Sequence, residues 1–440
     1  MHSGQIDMSH DLPRSNHSHR AGAPAPTRPA IAIISNSQTP YRLHLHRRIA
    51  AEIPEIQLHS VYTHEISNSK WEYQEPPEIG PVLFGPGETC EDQDKITRIP
   101  REWARGRRII HWLKQNQIKF VLMMGYNDIG RLRMIRWCKH HRIPVFMFGD
   151  SNIYGDNRTG LPALVKKIVV GWVVRSCSGI LACGSLGKRY FLKYGANPDR
   201  IFYYPYEPDY ELIHSVPPAT FIKIKEHLGF REDRRRLVYC GRLVSHKRVD
   251  LLFSAFLAIA HQRPEWDLVV IGAGPDRLKL KNMIPHDLSE RVVWAGFLDD
   301  QSVVSAIYRS SDVLVLPSDF EPWALVINEA VCAGMAIISS NVVGASAELV
   351  RDGVNGKLFP PGDLKALTTA ILDVTAPGAT VPMRAASPGI LADWRQRGDP
   401  VNGLRSALKS VGVLADVSYG TDVEAGRIEN QNSISEPIKR

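Results

Sequence analysis

Short, almost wholly apolar runs alternate with helix-favouring segments along most of this chain, in two separate series. The first series opens with AIAIISN (Ala30 to Asn36) and continues through QLHSVYTH, KFVLMMG (Lys119 to Gly125), VFMFGD (Val145 to Asp150) and GILACG (Gly179 to Gly184). Helical patterns such as YRLHLHRRIAAEI, REWARGRRIIHWLKQ, RLRMIRWCKHH and ALVKKIVVGWVVRSC separate them. A short continuous apolar run that ends in Gly, Asn or Asp suits a strand buried on both faces, and a parallel sheet covered by helices provides that burial. Residues 205–220 break the rhythm with Pro205, Pro208, Pro217 and Pro218 and read as a linker. The alternation then restarts with RLVYCG, DLVVIG, VVWAG, VLVLPS and AIISS, again with helical segments between. The expected fold class is therefore α/β, with two Rossmann-like doubly wound parallel-sheet domains facing a cleft.

The expected boundaries follow from these breaks. Residues 1–29 and 415–440 are polar, aperiodic tails expected to be disordered. Residues 30–204 form the N-terminal unit, 221–375 the C-terminal unit and 376–414 a final helical segment. Within the first unit, Ser185 is expected to cap the helix after GILACG. With 440 residues, 44% of them hydrophobic, the chain can fill two cores.

Composition narrows the setting. The six cysteines include no C-x-x-C pair, which argues against a disulfide framework or a zinc site and for reduced thiols in the cytoplasm. The N-terminus lacks the apolar core of a secretory signal. The longest apolar stretch, Leu164 to Val174, is interrupted by Lys166 and Lys167 and is too short to span a bilayer. A net charge of +8 suits anionic partners without selecting one.

Chemistry concentrates in the second unit. Cys240-Gly241-Arg242-Leu243 ends a strand, and Lys247-Arg248 follow just before a helix. A glycine there lets a ligand approach the backbone, and cations beyond it suit a diphosphate. Ser318-Asp319-Phe320-Glu321-Pro322-Trp323 closes another strand, ahead of a helix that begins near Ala324 and carries Glu329. The amino end of a helix offers free N–H groups to an anion.

The G-R-L-x-x-x-K-R segment, Glu321-Pro322-Trp323 with Glu329 after seven intervening residues, and Asp352-Gly353-Val354-Asn355-Gly356 together resemble the large retaining glycosyltransferase family with the GT-B fold, which includes many bacterial polysaccharide sugar transferases. The layout is similar over about residues 30–375. The resemblance implies that Arg242 and Lys247 hold the donor diphosphate and stabilise it as leaving group. It implies that Glu321 contacts the sugar hydroxyls, that Glu329 binds the ribose and that backbone near Phe297 reads the base. Gly241, Trp323 and the N–H groups around Ala324 and Leu325 complete the donor site. Ala324 stands where the family usually has Gly, a change expected to be tolerated because Ala starts helices well. The plain alternatives are surface cations for Arg242 and Lys247 and dipole-stabilised or solvated helix carboxylates for Glu321 and Glu329.

Other motifs are weaker. Gly272-Ala273-Gly274 lacks the third glycine of a dinucleotide loop and reads as a turn lining the donor cleft. Asp92-Gln93-Asp94 imitates a metal-binding D-x-D but lies in a polar loop, so no metal and no cofactor is expected beyond the nucleotide diphosphate sugar itself. Asp299-Asp300 reads as a helix start. In the first unit, Tyr41, Arg42, His44 and Asp150 are the candidate acceptor contacts, with His44 as easily a helix-surface residue. The helix with Arg101, Arg105, Arg107 and Arg108 is a candidate contact with anionic lipid, a solvated face being the ordinary reading. The expected function is transfer of a sugar from a nucleotide diphosphate sugar to a glycan or lipid-linked acceptor with retention of configuration, in cell-surface polysaccharide synthesis. The protein would work in the cytoplasm or at the inner membrane face, without metal and without nucleic acid. The alternatives are a nucleotide-sugar epimerase or phosphorylase on the same fold, a non-catalytic sugar-nucleotide binding protein, and a nicotinamide dehydrogenase, which the missing glycine fingerprint disfavours.

Overall fold

The computed structural model describes residues 28–67, 71–91, 93 and 95–415. The expectations placed on residues 1–27 and 416–440, and on Asp92 and Asp94, lie outside the described residues.

Among the described residues, thirteen strands form two sheets. They are β1 (Ala30–Ser35), β2 (Gln57–Tyr62), β3 (Pro81–Leu83), β4 (Phe120–Met124), β5 (Val145–Gly149), β6 (Gly179–Ala182), β7 (Ile201–Tyr203), β8 (Arg235–Cys240), β9 (Trp266–Ile271), β10 (Val292–Gly296), β11 (Val313–Leu316), β12 (Ala336–Ser340) and β13 (Gly356–Phe359). The first sheet has the order β3-β2-β1-β4-β5-β6-β7 and the second β10-β9-β8-β11-β12-β13. Every pairing is parallel. In each sheet the strand order reverses beside the first strand of its unit, between β1 and β4 and between β8 and β11. Loops leaving the two sides of such a reversal splay apart and open a crevice at the carboxyl ends of the strands. Both central strands are buried on both faces. Ile31 and Ile33 face one core and Ala32 and Ile34 the other, so β1 alone feeds both sides of its sheet.

The linker is shorter than the prolines suggest. Helices occupy Tyr210–His214 and Pro218–His227, the first capped by Asp209, which accepts the Leu212 N–H at 3.1 Å. Proline is favourable in the first turn of a helix, where its missing N–H has no partner to lose, so Pro218 opens a helix instead of excluding one. The irregular stretches of the crossing are therefore only 204–209 and the three residues 215–217 between the two helices. At the carboxyl end, helix Thr380–Gly398 runs through Pro388, and helix Pro400–Ser410 returns to the N-terminal unit. Gly403 permits that return: a Cβ there would lie 1.7 Å from the Tyr203 carbonyl oxygen. Arg48 fastens three segments together, binding Glu52 on its own helix, Glu207 in the crossing and Asp399 between the last two helices.

Candidate active site

The C-terminal wall of the crevice is built around the β8/β11 reversal. Gly241 follows β8 with φ +153°, and a Cβ on Gly272 would lie 1.9 Å from the Gly241 carbonyl oxygen. The Gly272-Ala273-Gly274 turn thus packs directly behind the Gly241–Leu243 segment, and Leu243 N–H donates to Ala273 O at 2.9 Å. Arg242 is exposed and has no carboxylate partner among the described residues, so its charge is available to a ligand. Lys247, at the end of a short turn, forms an ion pair with Glu321. Glu321 is buried, and its Oε1 also accepts the Ser318 hydroxyl at 3.0 Å. Arg248 turns elsewhere, pairing with Asp319 at 3.1 Å and Asp250 at 3.4 Å. Of the two adjacent cations, Lys247 therefore pairs with the buried Glu321 and Arg248 with Asp250 and Asp319.

Ala324 caps helix Leu325–Cys332 from the left-handed region, with φ +81° and ψ +83°. That explains a glycine preference at this position. Without a Cβ the conformation is free, whereas an alanine there carries about 1–2 kcal/mol of strain. The expectation that Ala is tolerated because it starts helices well therefore had the wrong reason: the constraint is backbone sign, not helix propensity. The Ile327 N–H turns back to the Ala324 carbonyl at 3.1 Å, and the N–H groups of Leu325 and Val326 before it have no acceptor within the helix.

Glu329 lies on the same helix, 6% exposed. Its two oxygens accept the Gln301 amide and the Tyr308 hydroxyl, each at 3.2 Å, and among the described residues no cation is paired with it. Burial pushes its carboxyl up to about 7, against the pull of those two bonds. Phe297 follows β10 past the left-handed Gly296 and is 65% exposed, an aromatic face at the rim of the crevice. Asp300 caps the next helix by accepting Ser302 N–H at 2.7 Å, as the sequence suggests. In the D-G-x-N-G turn, Asn355 is wholly buried and ties Arg351 to Leu349, so this motif supports the entry to β13.

One expected site residue, Trp323, helps hold the two units together, and further residues along the seam do the same. Trp323 is 3% exposed, donates Nε1–H to the Tyr206 carbonyl at 2.9 Å and packs on Trp394. Asn152, which with Asp150 and Ser151 the sequence offers as a contact to a hydroxyl or as a polar turn, donates to the carbonyls of Glu321 and Val342, both at 2.9 Å. Ser185 is the first helical residue and not the cap, which is Gly184, a residue without a side-chain acceptor. The Ser185 N–H is instead met by Glu348 of the C-terminal unit at 2.7 Å. No local pattern could reveal Asn152 or Glu348, because each partner is more than 150 positions away.

On the N-terminal wall, Arg42 donates to Ser37 O at 2.7 Å and lies over the Tyr41 ring, while its buried Nε has no partner. Asp150 opens onto the crevice but is closely ringed by protein. Desolvation raises its carboxyl above the usual range, with Arg42 pulling the other way. His44 does not join this group; its Nδ1 lies 3.5 Å from Asp209, and burial lowers its basicity despite that carboxylate. The basic helix Ile99–Gln115 loses one of its expected lipid contacts. Arg105 is 1% exposed and bound to Glu102, Glu88 and His64.

Two α/β units with facing strand ends and a cationic donor-type wall define a GT-B fold. Residues 220–379, about a third of the chain, match the family model described as Glycosyl transferases group 1. The match contains Gly241, Arg242, Lys247, Glu321 and Glu329, the positions on which the resemblance rests. Among curated proteins, an uncharacterized glycosyltransferase of Methanocaldococcus jannaschii is 31% identical over 136 residues, 31% of this chain and 34% of that protein. The lipopolysaccharide core biosynthesis mannosyltransferase LpsB of Rhizobium meliloti is 29% identical over 180 residues, 37% of this chain and 49% of LpsB. The chain thus spans about a third to a half of the length of these relatives. The crystal structure of Anabaena HepE in complex with UDP and glucose superposes with a TM-score of 0.64 at 17% identity, covering 88% of this chain and all of that one. The resemblance to GT-B glycosyltransferases read from the sequence therefore holds, in sequence over the C-terminal unit and in fold over both.

Proposed function

We propose that the protein transfers a sugar from a nucleotide diphosphate sugar to a glycan or lipid-linked acceptor, with retention at the anomeric carbon and without a metal ion. The observation that carries this reading is the convergence of Arg242, the Lys247–Glu321 pair and the amino end of helix Leu325–Cys332 on one crevice wall. Arg242, Lys247 and the free N–H groups face the diphosphate and stabilise the negative charge that grows as the glycosidic bond breaks. Glu321, held by Lys247 and Ser318, accepts from sugar hydroxyls. Glu329 takes the ribose diol and Phe297 borders the base. The acceptor enters from the wall of Tyr41, Arg42 and Asp150. Its hydroxyl attacks from the face the diphosphate leaves, and the proton passes to a departing phosphate oxygen. Relatives and fold neighbours that act on or bind sugars and UDP support a donor of this class.

The test is incubation with UDP- and GDP-sugars, following nucleoside diphosphate release and the anomeric configuration of the product. Release from neither donor class, by a folded protein that also binds neither nucleotide, refutes the reading.

A further inference from the structure

Helix Gly160–Ser176 is only half embedded. Val170, Val173 and Val174 are buried in the core, whereas the first ten residues stand proud of the N-terminal unit. On that protruding half, Leu161, Leu164, Val165 and Ile168 are 71, 54, 52 and 61% exposed. Their spacing of i, i+3, i+4 and i+7 puts them on one stripe. Such a stripe normally faces a core, but this one faces outward, and none of the described residues covers it. Single exposed apolar residues need no explanation; a contiguous helical stripe marks an interaction surface.

The charge around the stripe selects the partner. From Asn157 to Pro198 the chain carries seven Lys and Arg and no Asp or Glu. The carboxylate just before it, Asp156, is already bound by Lys166, Lys193 and Tyr194. Arg158 and Lys167 flank the stripe and are exposed. An aliphatic stripe edged by cations, on a helix that the described residues show to be too short and too charged to span, is the chemistry of a helix lying in the interface of an anionic bilayer.

The stripe also lies next to the crevice. The helix follows β5 and the Asp150–Asn152 turn. In that same segment Gly155 abuts the donor wall, since a Cβ there would lie 2.4 Å from the Phe320 ring. We infer that helix Gly160–Ser176 docks the protein on an anionic lipid surface, with the acceptor side of the crevice beside the headgroups, so that the acceptor is lipid-linked. The choice of acceptor rests on the sugar-transfer reading above; the docking does not.

The test is flotation of the full chain with phosphatidylcholine vesicles, with and without phosphatidylglycerol, at low and high salt. Expected is recovery with anionic vesicles only, weakened by salt. The double variant Leu164→Asp/Ile168→Asp should partition about a hundredfold less. Lys167→Glu should lose about tenfold or more at low salt. Ile222→Asp, an equally exposed site on the C-terminal unit, should change nothing. Wild type that stays out of anionic vesicles at low salt overturns the inference, as does a folded double variant that floats like wild type. So does a concentration-dependent dimer by light scattering that the double variant abolishes while neither protein binds vesicles. Nucleoside diphosphate release measured without vesicles reads the enzymatic proposal separately, and the double variant should retain it because none of its changes lies on the donor wall.

Discussion

Glu329 should cost the empty protein stability, and removing its charge should expose that cost. The carboxyl is 6% exposed, has two neutral hydrogen-bond donors and, among the described residues, no paired cation, and is raised from 4.5 to about 7 by burial. The folded state therefore holds the proton more tightly than the unfolded chain. Below the unfolded value both states are protonated and there is no penalty. As pH rises from 4.5 to about 7 the unfolded chain ionises first, and stability is lost. Above that the penalty is complete, about 3 kcal/mol at about 1.4 kcal/mol per pH unit. Glu329→Gln has the same shape, can still bond Gln301 and Tyr308, and never ionises. It should raise the thermal midpoint by several degrees at pH 8 and much less at pH 5. Ribose hydroxyls are donors that an ionised carboxylate accepts strongly, so the same variant should bind nucleoside diphosphate on the order of tenfold more weakly. Scanning calorimetry at the two pH values and calorimetric titration of UDP and GDP make the comparison. An equal midpoint shift at both pH values refutes the burial argument; unchanged nucleotide affinity refutes the ribose assignment.

Lys247→Ala should cut turnover by about two to three orders of magnitude through loss of one transition-state charge contact of ~3–4 kcal/mol; near-wild-type turnover at saturating donor would take Lys247 out of the site. Glu321→Gln should lower turnover while calorimetry still finds nucleoside diphosphate bound, since its partner is the sugar. Activity should survive exhaustive chelation, and a complete loss restored by manganese or magnesium would return Asp92 and Asp94 as ligands. Ala324→Gly should raise the urea midpoint, because relief of about 1–2 kcal/mol of left-handed strain exceeds the ~0.5–1 kcal/mol of extra chain entropy that glycine brings. A fall in the midpoint would mean that φ +81° is not strained here.

The central strands were legible because burial on both faces leaves a continuous apolar run, and each such run identified in the sequence forms a strand. The edges were not. β3, β7 and β13 have three, three and four residues, and each completes one side of a sheet. Segments that short show no period, and pairing with an already formed neighbour determines them more than their own residues do. The final segment, 376–414, reads as helical, but that one helix runs unbroken through Pro388 does not follow from its residues. A proline there removes one hydrogen bond and crowds the preceding turn, yet Ser387 beside it is fully buried and donates to the Met335 carbonyl at 2.7 Å. Tertiary packing fixes that helix, and local preference does not report it.

The site was half legible, and the split has a physical basis. Residues proposed to meet the donor present charge or a free backbone at a strand end, and such residues stand out in a sequence: Gly241, Arg242, Lys247, Glu321. Residues that fix the crevice have satisfied partners and look ordinary. The stretch from Glu321 to Trp323 belongs to both sets. Its carboxylate faces the site through Lys247, its first carbonyl is bound by Asn152, and its indole is bound to the Tyr206 carbonyl in the crossing. A change in the angle between the two units must therefore move the Glu321 backbone or break one of these bonds. A carboxylate that reads the sugar and a backbone that holds the far unit cannot be adjusted independently. The crevice can thus register the state of the domain seam at the residue proposed to contact the transferred sugar.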